Sequence, residues 1–544
     1  MTLGLKSLKG PLSIHRRVMA SPSTYEGWSR EDLISRLSEL EHWSTHPKQR
    51  PPSPKPRIKK TFDFTTHARR KIALKFCYSG WEYGGLAFQN MKTTLPTVEG
   101  VLFDAMAKAK LVDAAGGFDG CGWEKCGRTD RGVSAAGQVI SLWIRSALGS
   151  GGDQTRMTQP GSSMAEDRPA HTTSPPTSPE GVDGGKIPGL EFGFDEGDLD
   201  VPPSNSSLRS PPRLEHDYLS MINRLLPPTI RILAWSPVLD TFSARFSCTF
   251  RHYKYFFSIN TLPGPGLDID RMRAAASRLI GEHDFRNLCK LDPAKQITMF
   301  RRKVMRADIE PLNGAGDDGM YVFNLIGSAF LYHQVRHIMS ILFMVGSGIE
   351  DPSVVTSLMN VEGGLEAQAD SGDGAIEVVD RKPEYQMADA LPLMLWDCGY
   401  PEGDLNWLTT PSEDNCISKG NANGNVNGGT DLYQQLHSVY SRSQVYTALN
   451  NHFLTAASKF HLPPPSQSVI EIPASATPIK LLIPLGGGTY KRTGQEKYTP
   501  LLLRSRLDSV EVTNERWRLG KGFRRNERRK AAEGASDDDL DGNE

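Results

Sequence analysis

The sequence predicts a globular chain of mixed strands and helices, and three local patterns carry this reading. Short runs of β-branched and apolar residues at 71–78, 304–310 and 321–326 have the length and period of strands. Longer stretches at 97–112, 267–280 and 333–345 carry apolar residues at helical spacing. Segments rich in Gly, Ser, Pro, Asp and Asn at 146–215, 361–378 and 411–430 interrupt both patterns and read as loops or insertions. At 544 residues the chain has room for two or more domains and a large core. Its formal net charge of +0 excludes a uniformly basic coat but leaves room for a local basic cleft.

Seven Cys, an odd count, and no apolar leader point to reduced thiols inside a cell. No Cys/His pair answers Cys121 and Cys126 at zinc spacing, so no metal is expected. No apolar run has the length of a membrane span, so no membrane partner is expected either.

Residues 1–68 read as an extension. Ser29 and Asp32 form a helix-capping pair, and Leu33, Ile34, Leu37 and Leu40 then fall on one face. A short amphipathic helix docked on the core is expected, followed by a Pro- and Lys-rich linker at 47–60. Its Lys55–Lys60 run is a solvated stretch, a phosphate contact or a nuclear address. The first acidic residue is Glu26, but the prolines and weak amphipathy argue against a mitochondrial presequence.

The first half of a folded domain is expected over 69–145, as strand, turn, helix and strand. Residues 146–215 read as a disordered insertion, which a fold tolerates because loop closure costs only the logarithm of length. The second half is expected over 216–400. It holds a strand at 242–257, a helix whose buried stripe is Met272, Ala275, Ala276 and Leu279, and the strand pair 304–310 and 321–326. The helix from His333 to Val345 is apolar nearly all round, so it should be buried. Arg336 near its start then needs a carboxylate partner. Residues 401–430 read as a flexible linker. Residues 431–544 read as a helical extension with a basic run through Arg516, Arg518, Lys521, Arg524, Arg525, Arg528 and Arg529, and an acidic end.

Chemistry is concentrated at Cys126-Gly127-Arg128-Thr129-Asp130-Arg131-Gly132-Val133-Ser134. Gly127 and Gly132 allow a tight turn and the close approach of another molecule. A carboxylate between two arginines on a loop that feeds a strand is a candidate active site. The plain alternative is a salt bridge within the loop. Asp130 is the partner chosen for Arg336.

This stretch closely resembles the signature of the TruA family of tRNA pseudouridine synthases. The turn Tyr78-x-Gly80-x-x-Tyr83-x-Gly85, the run Ala244-Arg245-Phe246-Ser247…Arg251-x-Tyr253-x-Tyr255, Gly281–Asn287 and the segment around Leu331 and Arg336 are similar to further motifs of that family. The resemblance covers roughly 69–145, 216–346 and 385–400. It implies an α+β pseudouridine synthase fold, with two sheet-bearing halves and their helices facing each other across a basic RNA-binding cleft. It implies Asp130 as the catalytic residue, Arg336 as its partner, and Arg128 as the group that splays the RNA. Tyr253 would pack on the uracil, although taken alone its segment is an ordinary half-buried strand. Leu331 would form the pocket wall. Cys289-Lys290-Leu291-Asp292 and the long C-terminal region resemble the eukaryotic branch that modifies tRNA positions 38 and 39 in the anticodon stem-loop. Arg131 and Ser134 depart from the Ala and His common in bacterial members.

The resemblance also allows a homodimer and places the protein in nucleus and cytoplasm. The implied reaction moves uracil from an N1 to a C5 link on ribose and adds no atom, so it needs neither metal nor coenzyme. The carboxylate either attacks C1′ or deprotonates the sugar toward a glycal.

Overall fold

The computed structural model describes residues 29–45, 62–91, 93–148, 214–260, 266–312, 319–366, 376–409, 427–461, 482–492, 498–525 and 527. The chain divides into two units, Met1–Phe62 and Asp63–Glu544. The first holds α1 (Arg30–Thr45), capped reciprocally. Asp32 N donates to Ser29 Oγ, and Ser29 N to Asp32 Oδ2, both at 3.2 Å. Leu33, Ile34 and Leu37 are exposed. The linker at 47–60 lies outside the described residues.

In the second unit, β1 (Arg69–Tyr78) buries Ile72, Ala73, Leu74 and Phe76 completely. α2 (Val98–Lys108) starts where Thr97 Oγ1 accepts from Gly100 N at 3.3 Å. It stops short of Val112 because Lys110 turns left-handed at φ 56°, which a right-handed helix cannot continue. A single turn, α3 (Gly117–Gly120), and the short β2 (Glu124–Lys125) lead to β3 (Ser134–Arg145). After the insertion come α4 (Tyr218–Asn223) and β4 (Ile230–Pro237), joined by the edge contact of Tyr218 on Trp235.

β5 (Phe250–Ser258) starts later than residue 242, because 239–247 closes turns through Phe242 N to Leu239 O and Ser247 N to Ser243 O, each 3.0 Å. Then follow α5 (Ile269–Ser277), β6 (Gly281–Asp284), β7 (Arg301–Pro311), β8 (Met320–Gly327), α6 (Gln334–Gly346), α7 (Val354–Met359) and β9 (Leu393–Gly399). The C-terminal part holds α8 (Asn427–Ser458), β10 (Leu482–Gly486), β11 (Thr489–Arg492) and α9 (Val510–Trp517). Among the described residues no helix is long and apolar enough to cross a membrane.

The fold is α+β. One nine-stranded sheet runs in the order β4-β1-β3-β9-β5-β8-β7-β6, with β2 beside β3. Both halves therefore share a sheet. Its two cores lie apart: one around Ile72, Leu102, Ile140 and Trp235, the other around Phe285, Phe323, Ile338 and Leu342. Tyr253 packs against both. The halves meet where β3 pairs in parallel with β9 (Ser134 opposite Met394, Ala135 opposite Leu395) and β9 pairs with β5 (Leu395 opposite Tyr253). The backbones come so close there that a Cβ on Gly137 would stand 2.6 Å from Trp396 O.

Described residues from two stretches, the expected linker and the expected extension, pack into the body. Leu408, in the expected linker, is buried and exchanges backbone hydrogen bonds with Trp235 of β4 at 2.7 and 3.0 Å. Ile483, Leu501 and Val510, in the expected extension, join the second core. α8 is largely exposed along its length, including Tyr433, Tyr440, Phe453 and Leu454.

Of the insertion expected at 146–215, residues 149–213 lie outside the described residues, and its two ends are joined. Glu215, buried, accepts from Ala147 N at 2.8 Å, Ser146 Oγ at 2.7 Å and Arg70 Nη1 at 3.1 Å. Burial pushes its pKa up, but hydrogen bonds from Ala147 N, His216 N, Ser146 and Arg70 outweigh it and hold the carboxyl below its ordinary value. Glu215→Ala strips four donors of their acceptor. Urea unfolding should show a loss of about 2–4 kcal/mol; a loss within error would mean that the stem closes without it.

Candidate active site

The Asp130 loop is held from beneath. Cys126 N donates to Val139 O at 2.9 Å, and Gln138 Nε2 to Gly127 O at 3.0 Å. Thr129 is buried, with its hydroxyl 2.6 Å from Tyr78 Oη and its carbonyl accepting from Leu86 N at 3.3 Å. Val133 N closes the turn on Asp130 O at 3.1 Å. The two glycines differ. Gly132 has φ 87°, where only glycine is unstrained, whereas Gly127 has ordinary φ and open space at its Cβ position. Below the loop, Gly80 N donates to Ser134 Oγ at 2.9 Å. Gly85, at φ 106°, lies against the backbone of 129–131.

Asp130 is partly exposed, and its partners come from the start of α6. Arg336 Nη1 lies 3.8 Å from Asp130 Oδ2, and His333 Nε2 lies 3.2 Å from the same oxygen. Arg336 is aimed by a second bond, from its Nε to Ala388 O at 2.8 Å. Its sequence neighbours Arg128 and Arg131 are exposed and form no ion pair with Asp130. The salt bridge within the loop is therefore not what the fold builds.

His333 is the site residue the sequence reading passed over. It caps α6 from the left-handed region at φ 60°, and its Nδ1 is buried without a partner among the described residues. Its spacing, one turn before Arg336, is the signal that would have found it.

Arg251 is a second omission. Its guanidinium donates to Cys126 O at 3.2 Å, Arg245 O at 3.0 Å and Ser328 O at 2.6 Å. It thereby ties the Asp130 loop to the two other motif segments. Tyr253, two strands from Ala135 in the register, meets Phe330 edge-on at 5.1 Å. Burial, reinforced by Cys398, Cys126 and Asp130, pushes its phenol far above the ordinary range, so it keeps its proton at neutral pH. Leu331 is buried, its N–H donating to Gln334 Oε1 at 2.7 Å, and it lines a shallow pocket with Tyr332, Lys290 and Phe300. The site thus brings together Asp130, Arg336 and His333, with Tyr253 beside them, and leaves Arg128 on its exposed rim.

Among the described residues no group of three or more His, Cys, Asp or Glu could hold a metal ion. Cys126 has Cys248 at 3.3 Å as its neighbour.

α6 also carries His337, buried one turn further on. Burial, with Lys382, His333, Arg336 and Lys290 adding to it, holds the ring down to about 2. Below its unfolded pKa of about 6.5 the unfolded chain takes up a proton that the native state refuses. Stability is therefore fully present above that value and falls as pH drops toward the folded one. Between pH 7 and pH 5, wild type should lose about 2 kcal/mol more in urea unfolding than His337→Gln. Equal losses would show that His337 does not set the acid sensitivity.

A family profile described as tRNA pseudouridine synthase matches residues 275–401. The chain is 38% identical over 406 residues to the tRNA pseudouridine(38/39) synthase of Saccharomyces cerevisiae, covering 71% of this chain and 74% of the yeast protein. It is 36% identical over 359 residues to the Homo sapiens protein of that name, covering 65% of this chain and 60% of the human protein. It is 26% identical over 290 residues to tRNA pseudouridine synthase A of Methanosarcina mazei, covering 53% of this chain and 76% of the archaeal protein. These matches define the class, an isomerase of tRNA uridines. The chain belongs to the TruA family of tRNA pseudouridine synthases, and its similarity to the yeast and human proteins is with the 38/39 enzymes.

Proposed function

We propose that the protein converts uridine to pseudouridine at positions 38 and 39 of tRNA, with Asp130 as the essential carboxylate. The observation that carries this reading is the Asp130 carboxylate itself. It stands on a braced loop, faced by Arg336 and His333 at 3.8 and 3.2 Å. The similarity to the yeast and human 38/39 synthases supports the choice of positions.

In the reaction the N1–C1′ bond breaks, the uracil turns, and C5 bonds to C1′. The C5 proton leaves and N1 gains one, so atoms balance without a coenzyme. Arg336, 3.8 Å from Asp130 Oδ2, holds the carboxylate oriented toward the sugar. Extruding the target base costs about a few kcal/mol, and Arg128, on the exposed rim, is placed to hold the splayed strand. Tyr253 packs against the uracil as a neutral phenol, and Leu331 closes the apolar wall. The cleft between the halves takes the anticodon stem-loop, and the basic run at 516–525 adds phosphate contacts. We place this activity in nucleus and cytoplasm.

Whole tRNA incubated with the protein and mapped for pseudouridine tests the reading. Modification confined to positions 38 and 39 is the expected result. Modification at other tRNA sites or in a small nuclear RNA would make this a sister enzyme of the same chemistry. RNA binding without any product would make it a non-catalytic relative.

A further inference from the structure

Next to the Asp130 site lies an aromatic side chain that no step of the reaction uses. Tyr332 sits between Leu331, in the pocket wall, and His333, which faces Asp130. Its ring lies 3.8 Å from the His333 ring, centroid to centroid, so one part of it is fixed by the site. The residue is nevertheless 39% exposed. Two cations lie over its ring: Lys290 Nζ at 5.8 Å and Lys295 Nζ at 5.4 Å from the centroid.

The segment that carries these lysines is held in place, since Lys290 N donates to Tyr332 O at 2.9 Å. Lys290 forms no ion pair with a described residue, and Lys295 has only an exposed pair with Asp292 at 3.4 Å. Such a pair is worth little and is readily exchanged for a phosphate. Beside the ring, the pocket is lined by the apolar Leu331, Ile297 and Phe300 and the polar Asn514 and Asp292, the last of these already paired with Lys295.

A partly exposed aromatic ring, set against His333 and overlaid by two lysine ammonium groups at the edge of an RNA-modifying site, has the composition of a base-stacking platform. The ring offers a π-face to any base, and the lysines can swing to the flanking phosphates. We propose that Tyr332, with Lys290 and Lys295, stacks and holds an unpaired nucleotide neighbouring the target uridine. This inference rests on the proposed action on tRNA. Tyr332 is a binding residue that sets KM and substrate choice, distinct from Asp130, which carries the chemistry.

The test uses the full chain and anticodon stem-loop RNA carrying 2-aminopurine at one loop position at a time. Tyr332→Leu should raise Kd and KM roughly 5- to 100-fold and abolish the fluorescence quenching seen with wild type at one position. Tyr332→Phe and Tyr332→Trp, which keep a π-face, should stay within about threefold of wild type. The double change Lys290→Gln and Lys295→Gln should reduce the slope of log Kd against log salt by about 1.4, the value for two phosphates on a single strand. The platform is overturned if Tyr332→Leu leaves Kd and quenching unchanged. It is equally overturned if Tyr332→Phe loses as much as Tyr332→Leu, since the hydroxyl or the packing would then be what matters. Kd and quenching read the platform, whereas product formation by wild type reads the proposed reaction, so the two can fail separately.

Discussion

Asp130→Asn should all but abolish pseudouridine formation and leave tRNA affinity within a few fold. The asparagine keeps the shape of the side chain, and the loop is held by groups that the change does not touch: Thr129 on Tyr78, Gln138 on Gly127, and the backbone turn from Val133 N to Asp130 O. What is lost is the carboxylate that Arg336 and His333 face and, in the proposed reaction, the electron pair that attacks the sugar or takes its proton. Removal of one such group costs roughly 10²–10⁴-fold in rate, and a nucleophile or base used at the first step belongs at the upper end. Single-turnover conversion of tRNA should fall about 10³-fold or more. A variant that keeps a tenth of the wild-type rate would mean that another group carries the chemistry.

Gly80→Ala has the second large effect, although residue 80 touches no substrate. A Cβ there would stand 2.0 Å from Val133 O and 2.7 Å from Ser134 N, and both are backbone atoms directly after the Asp130 turn. No side-chain rotation relieves that contact, so either β3 or the loop must move. The bond from Gly80 N to Ser134 Oγ is strained with it. Overpacking of this kind costs about 1–3 kcal/mol of stability. A displacement of Asp130 by about 1 Å costs roughly 10²-fold in rate. Gly127→Ala is the control, because nothing stands within 4 Å of its added Cβ; it should match wild type in urea unfolding. If Gly80→Ala turns over tRNA at the wild-type rate, the turn at 78–85 does not support the loop in the way argued.

Within 216–400 the local patterns and the folded elements coincide in outline. The helix with Met272, Ala275, Ala276 and Leu279 inward, the strand pair β7 and β8, and the buried α6 all follow from periodic burial. β10 and β11 were not anticipated: their nine strand residues include a Pro, a Gly and two basic residues, and they are two-stranded. Ile483 and Leu485 are nevertheless buried against the body, a fact of packing that no local pattern carries.

By itself the sequence determined where the strongly periodic strands and helices form, such as β1, β7, β8, α5 and α6, because those depend on residues within a turn or two of one another. It also singled out Asp130, because the residue types around it are unusual within one short loop. Only the tertiary structure decided what Asp130 meets. Arg128 and Arg131 are its neighbours in the chain, but Arg336 and His333 are its neighbours in space. The tertiary structure likewise decided that β3 runs parallel to β9, and that Leu408, Ile483, Leu501 and Val510 pack into the body. These are contacts between segments far apart in the chain. They form only because burying two apolar faces on one sheet outweighs the entropy of bringing them together.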